Sequence, residues 1–123
     1  MISVFDYGAG NLQSVQNTLG AIGAQDWPAD RMGILVVDNA STDSTVEEAR
    51  RIPGLRVIAN PENPGFAVGN NIGIKASRGA NIVLLNNDTV VGPGWLDGLA
   101  PLATLADVGV VGATLVSPSG EVQ

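Results

Sequence analysis

Gly33-Ile34-Leu35-Val36-Val37-Asp38-Asn39-Ala40-Ser41-Thr42-Asp43 changes character in its middle. Ile34 to Val37 is an apolar, largely β-branched run too short for a helix, which predicts a strand buried on both faces of a sheet. Asp38, Asn39, Ser41, Thr42 and Asp43 follow, and their polarity predicts a loop carrying carboxyl, amide and hydroxyl groups at the end of that strand. Open α/β sheets hold their ligands at this end. A helix is expected next: Ser44 and Glu47 are spaced as a capping box, Val46, Ala49 and Ile52 keep helical spacing, and Pro53-Gly54 stops it.

The same alternation extends in both directions. Ile2 to Phe5 reads as a strand, and Asp6-Tyr7-Gly8-Ala9-Gly10-Asn11 as a glycine-rich turn into a helix buried through Leu12, Val15, Leu19 and Ile22. The third glycine of a dinucleotide fingerprint is missing, so a tight turn without ligand is the expectation there. Leu55 to Ala59 predicts a third strand. The proline-stiffened loop Asn60 to Pro64 leads into a helix opened by Gly65, in which Gly69 and Gly73 share one face. Asn70 and Asn71 in this helix are poor helix formers that solvent-facing or capping roles account for.

Ile82 to Leu85 reads as a fourth buried strand, with Asn86-Asn87-Asp88-Thr89 at its end. A helix with Trp95, Leu96, Leu99, Leu102 and Leu105 comes next, kinked or shortened by Pro101. Val108 to Val116 predicts a fifth strand, closed by the turn Ser117 to Gly120. Trp95 reads as a packing residue. The whole is an α/β three-layer sandwich, Rossmann-like or flavodoxin-like, with a mostly parallel five-stranded sheet in the order 3-2-1-4-5. That topology is expected to bring Asp6, Asp38 and Asp88 towards one rim.

Composition narrows the chemistry. The 123 residues suit one domain, and 45% hydrophobic content fills one core. Six Lys and Arg against twelve Asp and Glu give a net charge of −6, which argues against nucleic acid as a partner. With no Cys and no His, thiol nucleophiles, zinc sites of the Cys/His type and the usual neutral-pH base are excluded. No apolar run reaches roughly 18 residues and no signal peptide is visible, so a cytoplasmic chain without a membrane partner is expected.

Two resemblances overlay this reading. Ile2 to Val15, running on to Gly20, resembles the first strand and helix of the glutaminase subunit of imidazole glycerol phosphate synthase; that family's cysteine and histidine are absent, so only the scaffold carries over. From about Gln25, the chain resembles family 2 glycosyltransferases through Gln25 to Pro28, Ile34 to Asp43, Asn63 to Phe66, Gly69 to Gly73, Leu84 to Thr89 and Pro93 to Leu96. The pair of resemblances implies an engineered or recombined chimera in one domain, 1–22 glutaminase-like and 23–123 from the nucleotide-binding GT-A half.

The second resemblance implies a nucleotide-sugar site at Asp38, Asn39, Ser41, Asn70 and Asn71, for a UDP- or dTDP-sugar. For Asn70 and Asn71 the ligand contacts so implied stand level with the solvent-facing or capping reading. It also implies Mg²⁺ or Mn²⁺ at Asp88 and Asn86, where the family carries an Asp-x-Asp-like motif and this chain has Asn first. The family's acceptor-binding half and its general base lie beyond that motif. No turnover by this chain alone is therefore expected, with an active family 2 transferase as the alternative. An apolar strand at 108–116 left at a sheet edge further predicts a homodimer through that edge.

Overall fold

The computed structural model describes residues 2–6, 12–24 and 27–123, which leaves the Asp6-to-Asn11 turn beyond Asp6 outside the described residues. The chain separates into two compact units, Met1–Val91 and Gly92–Gln123.

The first unit is a four-stranded parallel sheet in the order β3-β2-β1-β4, with β1 at Ile2–Asp6, β2 at Ile34–Asn39, β3 at Arg56–Asn60 and β4 at Val83–Asn86. Register aligns the strand ends: Asp6 lies beside Asp38, Asn39 beside Asn60, and Phe5 between Val37 and Asn86. Leu35, Val36 and Val37 are wholly buried. Parity along β2 assigns the two faces. Leu35 and Val37 pack with Ile58 and with Ile72 and Ala76 of α3, Phe66–Ala76. On the other face, Ile34 meets Leu19 of α1, Leu12–Gly23, and Ile52 just beyond α2, Thr45–Arg50, around an apolar cavity of about 290 Å³. Helices thus cover both faces, and this cavity opens at the start of the strands, away from their polar ends.

Three expectations need correction. β2 does not stop before Asp38; Asp38 and Asn39 are strand residues, because β3 pairs with both and β1 with Asp38. Between two neighbours the backbone ladder, not side-chain polarity, decides where a strand ends. Ser44 makes no side-chain cap to α2, as its φ of −78° and ψ of 9° are not the extended geometry of a capping residue. Asp43 takes over, accepting from the Thr45 backbone N–H at 3.0 Å and from the Thr45 hydroxyl.

The third correction concerns the second unit. Its helix α4, Trp95–Ala103, contains Pro101 and ends two residues beyond it. The expected strand 108–116 does not form: among the described residues only Val116 bridges, to Val122, around the turn closed by Gly120 N–H to Ser117 O at 2.9 Å. Gly109 and Gly112 weaken any strand here, and a strand exists only with a ladder partner. The homodimer expected through this edge loses its basis, because there is no strand edge to pair.

Candidate functional site

The polar groups gather where β2 and β3 end and α3 begins. Asp38, 1% exposed, turns its Oδ2 to accept the Ser41 N–H at 3.0 Å. This closes a tight reversal through Ala40, whose φ of 63° lies in the left-handed region unusual for a residue with a Cβ. The other carboxyl oxygen, Oδ1, is buried without a partner among the described residues. A buried acceptor in that state is costly unless something donates to it.

Asn39, one residue on, points to the opposite face of the sheet. Its Oδ1 accepts from Asn60 Nδ2 at 2.8 Å, and its Nδ2 reaches towards Gly65 O at 3.5 Å, a long contact. The end of the amide is aimed at Gly69 of α3: a Cβ built there would sit 2.8 Å from Asn39 Nδ2 and 3.0 Å from Oδ1. Only glycine allows this approach. Gly65, at φ 85°, starts α3 from a turn in which its N–H donates to Asn63 Oδ1 at 2.9 Å.

Asn70 follows Gly69 and is also buried. Its Nδ2 donates to Phe66 O at 2.8 Å, while its Oδ1 has no partner among the described residues. Of the two readings of the asparagine pair, the solvent-facing one suits Asn71, which is exposed, and not Asn70.

Asn86 and Asp88 lie across the sheet. Asn86 is level with Val37 but two strands away, roughly 9–10 Å at ordinary strand spacing. A β-turn follows it, in which Thr89 donates to Asn86 O through Oγ1 at 2.6 Å and N–H at 3.3 Å. Thr18 of α1 pins the turn from beneath by donating to Asn87 O at 3.1 Å. Asp88 is exposed on it. Among the described residues no three acidic side chains gather to hold a metal.

The structure therefore joins Asp38, Asn39 and Ser41 to the start of α3, and sets Asn86 and Asp88 apart at the end of β4. Asp6 shares the register of Asp38 by its backbone. Sequence reasoning missed Asn60 and Thr18. The first had a visible signal, an asparagine ending each of two adjacent parallel strands; the second had none, since its partner lies far along the chain.

A family model described as glycosyl transferase family 2 matches residues 6–123. The chain is 31% identical over 102 residues to the glycosyltransferase AglE of Haloferax volcanii, which covers 80% of this chain and 33% of AglE. In fold it is similar to the mannosyltransferase PcManGT from Pyrobaculum calidifontis, solved in complex with GDP-Man and Mn²⁺. The TM-score is 0.84 at 26% identity, over 96% of this chain and 35% of that one. It also superposes on S. aureus TarS 1–349 in complex with UDP-GlcNAc, with a TM-score of 0.67 at 21% identity, over 92% of this chain and 37% of the other. The chain thus spans about a third of the length of each of these proteins. The family match begins at Asp6 and runs through α1 without a break near residues 20–25, which corrects the chimera expectation: no finding supports a glutaminase-like segment. No helix among the described residues is long and apolar enough to cross a membrane.

Proposed function

Because the chain belongs to glycosyl transferase family 2, we propose that it binds the nucleoside diphosphate of a sugar donor, as the donor-binding part of an enzyme that transfers the sugar to an acceptor. The observation that carries this reading is the buried Oδ1 of Asp38 at the polar end of the sheet, which has no partner among the described residues. A nucleobase N–H or a ribose hydroxyl supplies the donor it lacks, which is the recognition a buried, pre-positioned acceptor favours. Ser41 and Asn70 complete the nucleotide-sugar site, with Asn70 Oδ1, partnerless among the described residues, as a second acceptor for a hydroxyl.

Asp88 with Asn86 would hold Mg²⁺ or Mn²⁺. The donor set fits a hard cation, but a single carboxylate and an amide leave most ligand positions to diphosphate oxygens and water. When bound, such a cation neutralises the diphosphate as it leaves the sugar. The GDP-Man and Mn²⁺ held by PcManGT support the same reading.

Calorimetric titration with UDP, dTDP and GDP, with and without Mn²⁺, tests it. Binding of at least one diphosphate, strengthened by Mn²⁺, is expected. Asp38→Ala should weaken it about tenfold or more, as a lost charge-assisted hydrogen bond does. Asp88→Ala should abolish the Mn²⁺ dependence. A cooperatively folded chain that binds none of the three overturns the reading.

A further inference from the structure

We propose that Asn39, Asn60 and Gly69 form a clamp that positions the donor site without touching the donor. This inference rests on the nucleotide-binding reading above. Asn39 is 3% exposed and its amide is engaged by three groups: by Asn60 through Oδ1, by Gly65 O through Nδ2, and by Gly69, which leaves no room for a Cβ against the amide's end. These contacts tie together three elements distant in sequence, the ends of β2 and β3 and the first turns of α3.

Each of the two acceptors that lack a partner among the described residues adjoins a clamp residue in the chain: Asp38 precedes Asn39, and Asn70 follows Gly69. Whatever fixes Asn39 on Gly69 therefore fixes the backbone bearing Asp38 relative to the backbone bearing Asn70. A ligand that donates to both acceptors is sensitive to that spacing, because hydrogen bonds weaken steeply with misalignment. At 3% exposed, Asn39 directs its amide to the protein rather than to the open rim, so its role is positional.

The geometry makes a sharp prediction of non-additivity. The three nearest atoms that a Cβ at Gly69 would meet, at 2.8, 3.0 and 3.3 Å, all belong to the Asn39 side chain. Gly69→Ala therefore acts first on Asn39. In nucleoside diphosphate titrations at a temperature well below each variant's Tm, Gly69→Ala and Asn39→Ala should each raise Kd about fivefold, the order of one lost hydrogen bond. The double variant should bind no worse than the weaker single, since removing the amide removes the clash. Asn60→Ala should raise Kd similarly, and Asn60→Asp, of the same shape but lacking the donor, should not restore it. This second pair keeps the test decisive if Gly69→Ala does not fold.

Wild-type binding with multiplicative effects in the double variant, or with lowered Tm at unchanged Kd, overturns the clamp while leaving the nucleotide reading intact. Wild-type failure to bind any diphosphate overturns both.

Discussion

Ala40 carries the backbone strain of the site. Its φ of 63° costs an L residue roughly 1 kcal/mol or more, and the Ser41 N–H to Asp38 Oδ2 bond offsets that cost. Ala40→Gly should therefore leave stability within about 1 kcal/mol of wild type, as relief of strain and greater unfolded-state entropy cancel. Ala40→Val should lower it clearly, which thermal unfolding of the two variants checks. Asp43 makes a pH prediction. Hydrogen bonds from the Thr45 hydroxyl, first, and from the Thr45 backbone N–H hold its carboxyl below the ordinary 3.8. A carboxyl depressed in the folded state contributes stability that is present above the unfolded value and lost as pH falls through the folded one. The stability difference between wild type and Asp43→Asn should thus be constant from neutral pH to about 5 and shrink below about 4; a difference that widens in acid would sink the assignment. At this scale the chemistry was legible and the geometry was not. Asp38 stood out by residue type and position and Asn70 stood between two readings, whereas the left-handed Ala40 has no signature, because glycine or asparagine normally marks that conformation. The capping role passed from Ser44 to Asp43 for the same reason: spacing permits either residue, and only the backbone angles choose.

Among the elements, α3 is the one on which the site depends. Its inner face is made of small or polar residues, Gly69, Asn70 and Gly73, so its hold on the sheet rests on Ile72 and Ala76 against Leu35 and Val37. Ile72→Ala should destabilise the chain by about 2 kcal/mol, the low end for a partly buried isoleucine. The far end of α3 is tied down from β3, where Arg56 Nη1 donates to Ala76 O at 3.0 Å. A cation at a helix C-terminus both satisfies a free carbonyl and complements the dipole. Arg56→Met should cost about 1 kcal/mol in denaturant unfolding, and no loss would show the contact to be incidental. Strands β2, β3 and β4 and the three following helices were legible because apolar runs and helical spacing alternate with turn residues. The strand at 108–116 was misread for an equally physical reason: apolar composition measures the tendency to be buried, and a strand also needs a neighbour, which composition cannot supply.

For the molecule as a whole, the described ladder hydrogen bonds are concentrated in Met1–Val91. Hydrogen exchange should show Leu35 to Val37 opening only with global unfolding, while amides in 109–114, outside any ladder, exchange far faster. Equal protection of the two stretches would mean that the apolar run is paired after all. Family membership was legible from several motifs in order, but the unlike first helix suggested a second origin because a short βα unit constrains its sequence weakly and so resembles many others. The sheet order carries one more consequence, for synthesis. Of the four strands of this sheet β1 comes first in the chain, yet it stands between β2 and β4, with Ile2 beside both Ile34 and Val83. As the chain leaves the ribosome, one side of β1 stays open until β4, near the end of the first unit, has followed. Closing so long a loop is entropically slow, so the β4 side of Ile2 to Asp6 is expected to be the last edge of the sheet to close.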